Sequence, residues 1–154
     1  MPDLTITRVF DAPRNLVFKA WTDTAPGNDW SAPRRFTVAA FEADLRPGGA
    51  WRLCMRTADG EELRVGGVYR EIIPPERIVS THAWLNPDGT PGHETLMTVE
   101  LAARGDRTEM TFRQTGFESV EERDGHRNGG SECFDRLEEH LAVVDSEGPR
   151  STYR

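Results

Sequence analysis

The side chains best suited to metal or nucleophilic chemistry in this 154-residue chain are four histidines, His82, His93, His126 and His140, and two cysteines, Cys54 and Cys133. The histidines never fall in the close pairs by which one helix face presents two imidazoles to a metal, and the cysteines lack Cys-x-x-Cys spacing, so no metal is expected. The chain has no Gly-x-Ser-x-Gly elbow, phosphate-binding glycine loop or dinucleotide fingerprint, and no catalytic residue or cofactor is assigned. The remaining chemistry lies in polar residues that alternate with apolar ones: Tyr69 with Glu71, then Ser80 and His82 with Trp84, then Gln114. Burying such a group unpaired costs about 1–3 kcal/mol. Enclosed in a cavity, Glu71 or His82 would have a perturbed proton affinity, one route to a general base. Paired with one another, or at strand ends in water, the same residues are structural.

Residues 4–10 alternate as a strand, and Asp11-Ala12-Pro13 stops it with a polar cap and a proline to open a helix. Leu16, Val17, Ala20 and Trp21 fall on one face of that helix, and a short second helix is expected near residues 26–30. Strands follow at residues 36–45, 50–57, 62–73, 77–85, 94–103 and 107–115, separated by turn chemistry such as Asp59-Gly60 and Asn86-Pro87-Asp88-Gly89. The short connections predict an antiparallel meander of seven strands. Gly48-Gly49 and Gly66-Gly67 read as turn and bulge positions. Ser119 and Glu122 have the spacing of a capping box, opening a helix of about 24 residues with Cys133, Phe134, Leu137, Leu141 and Val144 on its apolar face. Residues 1–144 form one domain, and the polar residues 145–154 are expected to be a loose tail.

The layout is α+β, with a curved sheet wrapped around one amphipathic helix. Such a helix offers a stripe of about three residues per two turns, narrower than the inner face of seven strands, so a cavity between sheet and helix is expected. Alternation supplies its lining: Trp51, Leu53 and Met55 on one strand, Met97 and Val99 on another, Met110, Phe112 and Gln114 on the last. Tyr69 and Glu71 share a face, as do His82 and Trp84, and Phe134 faces them from the helix. Methionines and aromatic rings suit a ligand of mixed apolar shape, and equally a packed core.

Several motifs occur in order: Phe10-Asp11-Ala12-Pro13 with Val17-Phe18-Lys19-Ala20-Trp21, then Trp30 and Pro33, then Asp44-Leu45-Arg46-Pro47-Gly48-Gly49-Ala50-Trp51. Gly67-Val68-Tyr69-Arg70-Glu71-Ile72, Pro74-Pro75-Glu76-Arg77-Ile78-Val79, His126 and Leu137 continue them. Over roughly residues 4–143 the chain resembles the START-related helix-grip (SRPBCC) superfamily. Within it, the resemblance is to bacterial proteins related to the C-terminal domain of the activator of the heat-shock protein 90 ATPase. The resemblance implies a helix-grip fold and leaves activity open, because the fold hosts many unrelated functions. Two departures stand out: Asp29-Trp30 where relatives often carry a Trp pair, and Gly129-Gly130 where the last helix usually reads Gly-Trp. Loss of the indole at Gly130 is expected to enlarge the cavity or open its mouth.

Lys plus Arg number 19 against 26 Asp plus Glu, a net charge of −7 without a basic run, which disfavours nucleic acid and anionic membranes as partners. No stretch approaches the roughly 20 apolar residues of a membrane span, and the first residues do not read as a signal peptide, so the expected location is the cytoplasm. The expected function is binding of a small, mostly apolar molecule in the cavity, without catalysis. The alternatives are a protein-interaction module of the chaperone-activator kind and a cyclase- or hydrolase-like enzyme acting on a cavity-bound substrate. A homodimer could form through an exposed sheet edge.

Overall fold

The computed structural model describes residues 2–25 and 29–151, those from 144 on as backbone alone. The chain begins with β1 (Leu4–Phe10) and α1 (Arg14–Thr22), followed by a 3-10 turn at Asp29–Ser31. Six strands follow: β2 (Phe36–Ala43), β3 (Ala50–Thr57), β4 (Glu62–Ile73), β5 (Arg77–Leu85), β6 (Pro91–Arg104) and β7 (Arg107–Thr115). The last element is α2 (Val120–Ser151). All neighbouring strands are antiparallel in the order β1-β7-β6-β5-β4-β3-β2, the meander that the short turns predict, with β1 returning to pair with β7. Gly60 and Gly89 hold φ of +90° and +89°, the left-handed turn conformation that only glycine adopts without strain.

Three boundaries differ from expectation. A 3-10 turn stands where a second short helix is predicted, and Pro26, Gly27 and Asn28 of that prediction lie outside the described residues. Strand β6 starts at Pro91 rather than near residue 94, because Leu85 still pairs with Pro91. Helix α2 runs on through Ser151 rather than ending near Val144. Its start follows the capping-box spacing: the Glu122 N–H donates to Ser119 Oγ at 3.0 Å, and Glu122 Oε1 reaches back to the Glu118 N–H at 3.4 Å. The α1 cap is plainer, with Pro13 at the N-cap and no side-chain bond, so Asp11 does not cap it.

Leu4, Phe10, Val17, Val99, Met110, Phe117 and Leu137 are almost wholly buried and form the heart of the core. Each such side chain contributes about 1.5–3 kcal/mol. Helix α2 packs mainly on β1, α1 and the 3-10 turn, not on the middle strands. Arg136 ties it there: its Nη1 donates to the carbonyls of Ala32, Pro33 and Phe36 at 2.8, 3.0 and 2.9 Å, and Nη2 lies 3.8 Å from Asp29 Oδ2. Asp29 in turn accepts the Val38 N–H at 2.9 Å, so one guanidinium organises the whole entry into β2. Replacing Arg136 with Met removes its donor from all three carbonyls, of which Pro33 keeps the Phe36 N–H, and is expected to lower stability by about 2 kcal/mol in denaturant unfolding. Arg136→Lys should recover only part of the loss, because an ammonium lacks the fork geometry.

Candidate functional site: the cavity between sheet and helix

Between the inner sheet face and α2 lies a cavity of about 940 Å³ that is open to the surface. Strand β3 alternates cleanly, with Trp51, Leu53 and Met55 buried while Arg52 and Arg56 are exposed. The register carries this order across the sheet: Tyr69 stands opposite Ser80, Ser80 opposite Met97, and Met97 opposite Gln114. Above the middle strands, α2 offers Gly125, Gly129 and Gly130, which cannot fill the space as larger side chains would.

Of the residues expected to line a cavity, Trp51, Leu53 and Met55 of β3, Tyr69 of β4, and His82 and Trp84 of β5 all border it. So do Met97 and Val99 of β6, Phe112 and Gln114 of β7, and Gly130 and Phe134 of α2. Two do not. Met110 points inward but is wholly buried in the core on β7, between β1 and β6. Glu71 lies on the outer face, where its Oε1 accepts from Arg77 Nε at 3.2 Å. The register of β4 on β5 shifts between Tyr69 and Glu71, and this bulge turns the carboxylate away from the side that simple alternation assigns it.

Sequence reasoning missed Ser80, His126, Cys133 and the rings Trp21, Trp30, Phe36 and Phe41, all of which border the cavity. Ser80 was legible, since it shares strand parity with His82 and Trp84. The tryptophans were not, because the helical face that carries Trp21 does not tell which strands α1 packs against, and Trp30 sits in a 3-10 turn with no period to read. Trp21 and Trp30 meet edge to face at 4.9 Å, and Trp21 stacks on Phe112 at 6.2 Å.

A second group surrounds His82, whose ring centre is 5.4 Å from that of His126 and 5.9 Å from those of Trp51 and Trp84. The Trp84 indole N–H donates to His126 Nε2 at 3.2 Å, which leaves the proton of a neutral His126 on Nδ1. Burial, helped by the neighbouring His126, pushes the His82 imidazole down to about 3. Burial also lowers His126, against an opposing pull from Glu122, and pushes Tyr69 and Cys133 up to about 12. At neutral pH these four buried groups are therefore uncharged. An imidazole that holds its proton only below about pH 3 is a weak base. Glu71, the other candidate general base, lies outside the cavity on Arg77. Among the described residues, no three His, Cys, Asp or Glu side chains gather as metal ligands, and no helix is long and apolar enough to cross a membrane.

Among the described residues, the indole N–H groups of Trp21, Trp30 and Trp51 are buried without a partner. Gln114 Nε2 donates to Thr95 Oγ1 at 2.8 Å, and that hydroxyl passes the chain on to the His82 carbonyl at 3.2 Å. At Gly130, an added Cβ would touch Ile6 Cδ1 at 3.4 Å, the end of a flexible side chain. Gly130→Trp is accordingly expected to raise the melting temperature and reduce apolar-dye binding; unchanged dye binding would count against a cavity widened at this point.

A curved antiparallel sheet closed over one long helix, with a short helix and a 3-10 turn between its first two strands, defines the SRPBCC-type helix-grip class. The family model for Activator of Hsp90 ATPase homolog 1-like protein matches residues 11–142, and the chain belongs to this family. Similar solved structures include the AHSA1 protein of Silicibacter pomeroyi, at 23% identity and TM-score 0.79 over 92% of this chain and 99% of that one. A Chromobacterium violaceum protein matches at 25% identity and TM-score 0.80 over 90% and 96% of the two chains. A Rhizobium loti protein matches at 29% identity and TM-score 0.75 over 91% and 96%. No functionally curated protein matches.

Proposed function

We propose that the protein binds a small, mostly apolar molecule between its sheet and α2. The observation that carries this reading is a cavity of about 940 Å³, within the size range of small-molecule sites, lined mainly by rings, methionines and aliphatic chains. Side chains in a well-packed core leave few voids larger than a water molecule. Apolar surface left open at this scale gives up stabilisation that an apolar occupant restores.

The test is mass spectrometry of freshly purified protein under native and then denaturing conditions, with thermal unfolding in the presence of apolar compounds. A small molecule released on unfolding, or a melting temperature raised in proportion to ligand, is the expected result. A clean apo mass, together with no stabilisation by any apolar compound, would overturn it. That outcome would favour contact with a chaperone or another protein, the role named in the family's description.

A further inference from the structure

Tyr69 and Ser80 stand opposite each other on β4 and β5, and His82 follows Ser80 by two residues, so these three side chains share one patch of the cavity floor, with Met97 between Ser80 and Gln114. Tyr69 and Ser80 are only 5% and 3% exposed. Among the described residues neither hydroxyl bonds to the protein, and neither is among the polar atoms sealed away from the cavity, while the His82 imidazole meets only its own backbone. Buried polar groups tend to be satisfied, by water where not by protein. Several left open on one patch mark a place for a polar group that the chain does not itself supply.

Charge restricts what that group can be. The charged side chains bordering the cavity, Arg34, Arg35, Glu121, Glu122 and Glu132, lie in the segment before β2 or on α2, and carboxylates outnumber guanidiniums among them. Arg34 is already held by Glu139 through two hydrogen bonds of 3.2 and 2.5 Å. An anion placed on the floor would meet no cation there, and an isolated buried charge is far costlier than a neutral dipole.

We infer that the ligand carries one uncharged hydrogen-bonding head group, a hydroxyl or carbonyl, which docks beside Tyr69, Ser80 and His82 while its apolar body lies against the Trp21, Trp30, Phe112 and Phe134 rings. This rests on the ligand-binding reading above and adds the class: a neutral amphiphile with a single polar end.

Pyrene, 1-hydroxypyrene and 1-pyrenecarboxylate share a body and differ in the head, and their fluorescence reports binding directly. At pH 7 the wild-type protein is expected to bind 1-hydroxypyrene about tenfold more tightly than pyrene, with the carboxylate weakest, since one matched polar contact is of that order. Tyr69→Phe and Ser80→Ala remove hydroxyls without protein partners, so both variants should fold as the wild type does. In each, the preference for 1-hydroxypyrene should shrink at least threefold while pyrene affinity holds. Equal binding of pyrene and 1-hydroxypyrene, a preference untouched by both variants, or strongest binding of the carboxylate would overturn the head-group assignment and leave cavity binding standing. Failure of all three probes, pyrene included, would overturn both.

Discussion

Gly67→Ala is expected to cost more than about 4 kcal/mol or to prevent folding, an effect outside the usual range for a single methyl group. The reason is space, not backbone conformation, since Gly67 does not adopt a positive φ. A Cβ at this position would lie 1.9 Å from the Thr81 carbonyl oxygen and 2.7 Å from both Thr81 C and Trp51 Nε1. The first two are backbone atoms of the adjoining strand, and the third is the buried edge of a ring that borders the cavity. Relief therefore requires β4 and β5 to part, where Val68 N donates to Thr81 Oγ1 at 2.8 Å, and the Trp51 indole to move. Gly125→Ala is the matched control, because nothing lies within 4 Å of its added Cβ and the site is inside α2. It should stabilise by about 1 kcal/mol through helix propensity. Denaturant midpoints for the two variants should move in opposite directions; a Gly67→Ala midpoint equal to wild type would refute the close approach.

Acidification from about pH 6.5 to pH 3 should progressively destabilise the protein through His82, to a limit of several kcal/mol. The unfolded chain takes a proton on this imidazole near pH 6.5, whereas the folded state refuses it until about 3. The stability that a neutral His82 confers is thus complete above the unfolded value and is lost as pH falls toward the folded one. His126 and His140, both lowered by burial, act in the same direction. His93 acts oppositely: its Nε2 meets the Gly116 carbonyl at 2.5 Å and its pKa is raised, so its contribution is present in acid and lost as pH rises. The carboxylates of Glu62, Asp88 and Glu139, all lowered by hydrogen bonding, add to the acid loss mainly below the ordinary carboxylate range. The discriminating window is therefore about pH 5–6.5. His82→Phe keeps a ring beside Trp51 and Trp84 and should flatten the slope of stability there by up to one proton's worth, about 1.4 kcal/mol per pH unit. Parallel slopes for variant and wild type, measured by denaturant unfolding across the window, would show that His82 is not held neutral by the fold.

Much of the architecture was legible because it is written in short-range patterns. Hairpin turns announce themselves through glycine, proline and aspartate, strands through a period of two, and the start of α2 through Ser119 and Glu122. Where β3 and β7 keep that period without interruption, alternation assigns the inward side chains from Trp51 to Gln114 correctly. It fails at Glu71, where one bulged residue inverts the faces of a strand and nothing in the local sequence marks the inversion.

The sequence by itself determined the class of fold, the meander from β2 to β7 and the chemical character of the inner face, because each follows from neighbours along the chain, whereas the pairing of β1 with β7 does not. Only the tertiary structure decided that Trp21 and Trp30 reach the cavity, that Glu71 leaves it, and that His82 and His126 share one neutral cluster. These depend on where α2 and the β1–β2 connection settle over the sheet. The Arg136 clamp on the 3-10 turn and the glycines of α2 set that placement jointly, through contacts about a hundred residues apart that no local period encodes.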